Sequence, residues 1–342
     1  MQKIMVFRFS AMGDVAMTVP VIKTLLDQHP DVEIIMVSRP FFQPIFENLS
    51  RVKFLGVNLN KDYKGLSGLF KLFNFLRQEK PDAIADLHDV LRTKVIRNLF
   101  RLSGYKIAVI DKGRKEKKAL TRPKNKVFKA LKTTHERYAD VFRTLGLTVN
   151  LQKFKPLPIN IPSSVSLFLQ NFEGQKIIGI APFAAHKGKQ YPLDKITSVI
   201  HLILKESLDT NIVLLGSPAE KKSLDVLEAI DRNRVVNIAG IFSFSEELAL
   251  ISKLNAMFSM DSGNAHLAAL YGVPVVNVWG ATHPHAGFAP FGQNKKWQLI
   301  ADRIKYPQLP TSVYGNKTFE GFDNIWESIA PEKVAKTLLN IL

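Results

Sequence analysis

The stretch AMFSMDSGNAHLAALYGVPVVNVWGATHPHAGFAP, residues 256–290, contains the pattern that decides the fold. Its first five residues form a short apolar run typical of a buried strand, and residues 273–279 form a second. A polar turn and a short helical run at residues 265–271 separate them, and Gly272 ends that helix. The stretch therefore predicts a strand–turn–helix–strand unit of a parallel α/β sheet.

Polar and small residues cluster where the predicted helix begins and where the second strand ends. They are Asp261, Ser262, Gly263, Asn264 and His266 at the helix start, and Gly280 and Thr282 after the strand. Ligands of open parallel sheets bind beyond the carboxyl ends of the strands, and helix N-termini attract anions. The same residue types also cap ordinary helices, so the pattern leaves both an anion site and a simple cap open.

The rest of the chain repeats the alternation of apolar strands and amphipathic helices. Strands are predicted at residues 3–9, 32–37, 52–57, 82–87, 105–110, 176–181, 211–215 and 235–238. Helices are predicted at residues 15–28 with a kink at Pro20, and at 66–78, 89–101, 135–145, 193–206, 218–232, 245–254 and 331–342. This alternation predicts an α/β protein with two doubly wound, mostly parallel sheets.

A proline-rich segment without helical periodicity, LQKFKPLPINIP at residues 151–162, interrupts the alternation. Such segments are typical of interdomain linkers. The chain is therefore predicted to form two domains, residues 1–155 and 156–342, with a central cleft in which ligands tend to bind.

Composition excludes several classes of protein. The 342 residues contain no cysteine, which excludes disulfides, thiolate catalysis and cysteine metal sites. No apolar run of about 18 residues is present, and Arg8 and Asp14 interrupt the amino-terminal segment too early for a signal peptide. A cytoplasmic location is expected.

The chain carries a formal net charge of +17. Such an excess attracts nucleic acid, an anionic lipid surface or a polyanionic substrate. Basic residues crowd positions 112–132, among them Lys112, Arg114, Lys115 and Arg122, although a charge run can also be only a solvated surface. The segment lacks the aromatic-interleaved basic motifs of nucleic-acid-binding proteins, which argues against that class.

Four charged residues follow predicted strands and are candidates for chemistry. Asp14, after Gly13, is either an N-cap or a general base for a hydroxyl proton. Lys187 and Lys189 either neutralise a leaving diphosphate or are ordinary surface lysines. Glu220 either binds a ribose or complements a helix dipole. No metal-binding motif is present, and no dinucleotide fingerprint follows the first strand.

Three motifs together resemble the family 9 glycosyltransferases, the heptosyltransferases of lipopolysaccharide core synthesis. They are RFSAMGDVAMTVP at residues 8–20, KQYP at 189–192, and MDSGNAHLAALYGVP followed by GATHP. The resemblance implies a GT-B fold of two facing Rossmann-like domains, the first binding the acceptor and the second the nucleotide sugar. It also implies that the final helix packs back on the first domain.

The resemblance further implies an inverting, metal-independent transfer of heptose from ADP-heptose to a hydroxyl of the lipopolysaccharide inner core, without a cofactor. Asp14 is then the general base and Lys189 stabilises the diphosphate. The residues expected at the donor site are Ser10, Gly13, Lys187, Glu220, Asp261, Ser262, Gly263, His266 and Thr282. Those expected at the acceptor site are Lys112, Arg114, Lys115 and Arg122.

An anionic glycolipid acceptor implies peripheral contact with the cytoplasmic face of the inner membrane, to which a basic domain is attracted. The chain departs from the family pattern in two places. Phe183, Ala184 and Ala185 replace small hydroxyl residues, and Tyr191 replaces a tryptophan. Another nucleotide sugar and another surface glycan therefore remain the alternative.

Overall fold

All eleven strands lie in two wholly parallel sheets in a computed structural model that describes residues 1–342. The strands are β1 (Gln2–Phe7), β2 (Val32–Ser38), β3 (Val52–Gly56), β4 (Ala83–Asp86), β5 (Lys106–Val109), β6 (Lys176–Ala181), β7 (Thr210–Leu214), β8 (Val235–Asn237), β9 (Ala256–Met260), β10 (Val275–Trp279) and β11 (Gln298–Ile300). The sheet orders are β3-β2-β1-β4-β5 and β11-β10-β9-β6-β7-β8. The two Rossmann-like sheets predicted from the sequence are confirmed.

Twelve α-helices connect and cover the strands. They are α1 (Met12–Ala16), α2 (Thr18–Gln28), α3 (Gly65–Arg77), α4 (Leu91–Leu102), α5 (Arg114–Thr121), α6 (Thr134–Thr144), α7 (Ser163–Gln170), α8 (Leu193–Glu206), α9 (Lys221–Glu228), α10 (Phe244–Ile251), α11 (Gly263–Leu270) and α12 (Pro331–Leu339). None of them combines the length and the hydropathy needed to cross a membrane.

The chain forms two compact units. The first contains Met1–Lys112 and Lys132–Leu157, and the second contains Gly113–Leu131 and Pro158–Leu342. The chain thus passes from the first unit to the second within the predicted linker. The basic segment Gly113–Leu131 belongs to the second unit, although the predicted boundary assigned it to residues 1–155.

The sheets could be predicted from the sequence because most of their strands are buried. The central strands β1, β6, β9 and β10 are almost entirely buried, as strands covered by helices on both faces must be. Each sheet has its own hydrophobic core. Edge strand β11 has only three residues and a mixed environment, so it was missed.

One helical prediction differs from the structure. The predicted helix at 15–28 is divided into α1 and α2 at Met17, so the interruption precedes Pro20, which lies in the first turn of α2, where proline is tolerated. The final helix α12 packs against α8, β9 and β10 of its own unit, and the contact with the first domain that the resemblance implied stays a prediction. Its Val334, Ala335 and Leu338 are buried in the core of the second unit.

Candidate active site

The order of each sheet identifies where a ligand can approach it. Strand order reverses between β1 and β4 in the first sheet and between β6 and β9 in the second. Crevices at such switch points, beyond the carboxyl ends of the strands, are the usual binding sites of open α/β sheets. Asp14 follows β1, whereas Lys189 follows β6 and Asp261 follows β9. Each candidate therefore lies at the switch point of its own sheet.

In the second unit, Lys189 and Asp261 form an ion pair. Lys189 Nζ lies 2.8 Å from Asp261 Oδ2, and the side chains are only 17% and 7% exposed. A pair this protected from water is screened far less than a surface pair. The carboxylate therefore holds the ammonium at the β6/β9 switch point, where an incoming anion meets a fixed positive charge.

Close contacts made by glycines hold in place the loop after β6 that carries Lys189. Ala281 N donates to Gly188 O at 2.7 Å, which joins the loop to the residues after β10. A Cβ at Gly280 would lie 2.5 Å from Gly188 O and 2.5 Å from the Trp326 ring. A Cβ at Gly315, where φ is +82°, would lie 2.5 Å from Lys189 Cγ. Only glycine permits these approaches, which position Lys189 against Asp261.

The N-terminus of α11 lies directly after Asp261. Ser262 occupies the N-cap position but makes no capping bond to the helix, and its Oγ instead lies 3.0 Å from Ser259 Oγ. The first-turn N–H groups of Gly263 and Asn264 thus have no side-chain cap, and both residues are partly accessible. Such a helix start favours an anion. Of the two interpretations left open by the sequence, capping by Ser262 is wrong.

Thr282 and His266 are both buried near this region of the chain. Thr282 follows β10 and is 2% exposed, and its hydroxyl has no hydrogen-bond partner. His266 lies within α11 and is also buried. A buried hydroxyl without a partner is rare, so Thr282 has unused capacity to bind a polar group.

The other two donor-site candidates of this unit, Lys187 and Glu220, contact residues outside the Lys189–Asp261 pair. Lys187 Nζ pairs with Asp323 at 3.1 Å, and both side chains are highly exposed, so its charge is not directed at Asp261. Glu220 Oε2 accepts from Ser217 N at 2.7 Å and from Ser217 Oγ at 2.8 Å. Glu220 therefore completes a capping box, and its role at a ribose remains a prediction.

In the first unit, Asp14 lies in the first turn of α1 and pairs with a buried arginine. Arg8 Nη2 is 2.6 Å from Asp14 Oδ2, and Ala11 N donates weakly to the same oxygen at 3.4 Å. The Tyr138 hydroxyl donates to the carbonyl of Asp14 at 3.3 Å. Burial opposes the charge of Arg8, but Tyr138 and Asp14 raise its pKa. Arg8 thus holds one oxygen of the Asp14 carboxylate in place, whereas the capping bond from Ala11 N to that oxygen is weak.

Ser10 and Gly13, predicted on the donor side, lie in the same loop and helix start as Asp14. Both are partly accessible, and Gly13 O accepts from Met17 N at 2.9 Å. They therefore belong to the first unit, whereas the other predicted donor residues belong to the second.

Sequence reasoning missed His88, which follows β4 and lies beside β1. Phe9 N donates to His88 Nδ1 over a long 3.4 Å. Burial, with the nearby Arg8 and Lys112, lowers the pKa of His88 to about 3, so the imidazole is neutral. His88 and Asp89, two polar residues directly after the strand predicted at residues 82–87, were the signal that could have identified it.

The four predicted acceptor residues are divided between the units. Lys112 ends a segment of the first unit and donates from Nζ to Asp89 O at 3.3 Å. Arg114, Lys115 and Arg122 are exposed and belong to the second unit. No group of three or more histidines or carboxylates in the chain is arranged to hold a metal ion.

Comparison with known proteins gives a consistent result. Residues 69–314 match the model of glycosyltransferase family 9 (heptosyltransferase). The lipopolysaccharide core heptosyltransferase OpsX of Haemophilus influenzae is 23% identical over 285 residues, which cover 82% of this chain and 79% of that protein.

Solved structures agree. The E. coli ADP-heptose lipopolysaccharide heptosyltransferase II is similar, with a TM-score of 0.71 at 18% identity, over 100% of this chain and 98% of that one. The E. coli heptosyltransferase WaaC with ADP gives 0.68 at 16% identity and covers both chains fully. These neighbours confirm the predicted GT-B fold class. Because the family model matches most of the chain, the protein is a glycosyltransferase of family 9, the heptosyltransferase family.

Proposed function

We propose that the protein transfers a heptose from ADP-heptose to a hydroxyl of the lipopolysaccharide inner core, with inversion at the anomeric carbon. The observation that carries the proposal is the protected Lys189–Asp261 pair beside the uncapped start of α11. This arrangement suits the diphosphate of a nucleotide sugar, because a fixed ammonium and helix N–H groups converge on one anion. OpsX and heptosyltransferase II are lipopolysaccharide heptosyltransferases by name, and WaaC was solved with ADP.

The chemistry requires a base and a stabilised leaving group. Asp14 accepts the proton of the acceptor hydroxyl as its oxygen attacks the anomeric carbon. The bond from that carbon to the diphosphate breaks at the same time, and ADP departs with the electron pair. Attack opposite the leaving group inverts the configuration. Lys189 and the N-terminus of α11 neutralise the charge that develops on the diphosphate.

We further propose that no metal ion or other cofactor takes part. A lysine ammonium held by a carboxylate can supply the positive charge that a metal ion otherwise supplies to a leaving phosphate. Thr282 and His266 are assigned to the donor, with Glu220 at its ribose. Lys187 and the Ser10–Gly13 loop are also assigned to the donor side.

The acceptor is proposed to be an anionic glycolipid, bound by Lys112, Arg114, Lys115 and Arg122. Its phosphates and carboxylates complement the basic residues. The protein then works in the cytoplasm, peripherally on the inner membrane. A transferase for another nucleotide sugar is the second candidate, because the loop after β6 has Phe183, Ala184 and Ala185 where hydroxyl groups would contact a phosphate.

Calorimetric titration with ADP, UDP and GDP in the presence of EDTA tests the donor. We expect ADP to bind at least about tenfold more tightly than UDP or GDP, a difference of roughly 1.4 kcal/mol. Preference for UDP or GDP would retain the site but discard ADP-heptose. Binding that disappears with EDTA and returns with a divalent cation would contradict metal independence.

Thr282→Val tests the donor site separately from the fold. Removing a buried hydroxyl that has no partner should leave the free energy of unfolding unchanged or slightly higher. ADP affinity should nevertheless fall by roughly 3- to 10-fold, because one hydrogen bond to the ligand is lost. Calorimetry and urea unfolding of the same preparations provide both measurements.

Thr24→Val is the matched control, because Thr24 in α2 is also buried with an unpartnered hydroxyl. It should show the same stability response with unchanged ADP affinity. Equal ADP affinity in Thr282→Val and in the unaltered protein would remove Thr282 from the donor site.

A further inference from the structure

Residues 122–131 of the basic segment, here called the basic arm, are held on the second unit by hydrogen bonds and a cation–π contact. Lys126 Nζ donates to Gln308 O at 2.5 Å and to Pro310 O at 2.6 Å. The Arg303 guanidinium lies 3.3 Å from the centroid of the Phe128 ring. Leu131 N donates to His285 O at 2.9 Å. The arm therefore shares one surface with the segment at residues 295–310.

This surface is strongly basic. The arm contributes four cations and no acid, and residues 295–310 contribute four more with a single acid, Asp302. One carboxylate oxygen of Asp302 already accepts from Ile304 N at 2.7 Å. Lys124, Lys129 and Lys305 are exposed. Eight cations against one acid produce a local field that attracts a dense array of anions.

Apolar side chains project from the same surface into solvent. Ile304 is 94% exposed and lies between Arg303 and Lys305 in the sequence, and Val127 is 43% exposed and follows Lys126. Neither contributes to the hydrophobic core of the unit. An aliphatic side chain held outward by a fastened segment gains free energy only if a partner removes it from water.

We propose that this surface docks the second unit on an anionic lipid bilayer, with the lysines at the headgroups and Ile304 and Val127 in the interface. Lysine clusters bind anionic leaflets electrostatically, and apolar side chains add binding by insertion. The Arg303 guanidinium already covers one face of the Phe128 ring, and the aliphatic tips of Ile304 and Val127 cannot stack on bases, which distinguishes the surface from a nucleic-acid site. The assignment rests on the proposed function, because a lipid-linked acceptor is what brings the enzyme to a membrane.

Co-sedimentation of the full-length protein with lipid vesicles tests the docking. We expect binding to vesicles of phosphatidylglycerol and phosphatidylcholine, and none to pure phosphatidylcholine. The paired substitutions Val127→Ser and Ile304→Ser should lower the partition coefficient on the anionic vesicles about tenfold, and Lys124→Gln with Lys129→Gln should lower it about thirtyfold. Leu208→Ser removes an 87% exposed leucine beside Glu206 and Asp209 and should change nothing.

Several results would overturn the proposal: equal binding to neutral vesicles, no loss in either paired variant, or an equal loss in Leu208→Ser. Tighter binding to duplex DNA or RNA than to anionic vesicles would also overturn it. Turnover with a water-soluble acceptor separates this proposal from the proposed function. Variants that lose vesicle binding should retain that turnover, whereas absence of turnover in the unaltered protein would reject the function and not the docking.

Discussion

The substitution Asp14→Asn is expected to lower kcat by about 10²- to 10⁴-fold, the usual contribution of a general base. Donor affinity should stay within about twofold, because the proposed base acts on the acceptor hydroxyl and not on the diphosphate. An amide keeps the size of the carboxylate and can still accept from Arg8, but it cannot take up a proton. Steady-state turnover and ADP calorimetry on the Asp14→Asn variant provide the two measurements.

The buried Arg8 affects the stability of this variant, so the unfolding of Asp14→Asn must be measured beside its kinetics. The pair between Arg8 and Asp14 places a cation in a site where it is 8% exposed, so Asp14→Asn leaves that charge without its counterion. Breaking such a pair costs roughly 3–5 kcal/mol when fully buried, and less here because Asp14 is partly exposed. Kinetics should therefore be measured well below the unfolding transition of the variant.

Asp27→Asn is the control, because Asp27 also lies in the first unit and pairs with Lys23 on the surface of α2. It should retain full turnover. An Asp14→Asn variant that is folded and fully active would refute general-base catalysis by Asp14.

Lys189→Met has the second largest expected effect, a fall in kcat of about 10²- to 10³-fold. The methionine keeps the unbranched stem that packs on Gly315 but removes the charge that stabilises the departing diphosphate. ADP affinity should fall as well, because the product carries the same diphosphate. Transfer kinetics and calorimetry measure the two losses on one preparation.

Two further variants separate charge from structure. Lys195→Met removes a lysine that is 16% exposed and pairs with Glu327 in the same unit, so it matches the burial of Lys189 and should leave turnover unchanged. Asp261→Asn keeps the ammonium but loosens it, and should lower kcat less than Lys189→Met does. Similar losses in Lys189→Met and Lys195→Met would indicate general destabilisation and not leaving-group stabilisation.

Much of the fold could be predicted because its signals are local. A strand covered on both faces must be an apolar run, as β9 and β10 are, and the chain must become polar where it leaves the sheet. The helix start after β9 and the charged residues after β1 and β6 were found in this way. The division between α1 and α2, the short β11 and α7 were not, because their local patterns are weak.

The amino-acid sequence by itself determined the two parallel sheets, the family and the short list of charged residues at strand ends. Tertiary structure alone decided that Lys189 and not Lys187 pairs with Asp261, that the basic arm is fastened beside Arg303, and that α12 packs on α8. The physical reason is that periodicity and capping act within a few residues. These choices depend on contacts between segments far apart in the chain, which form only when the sheets and helices have packed.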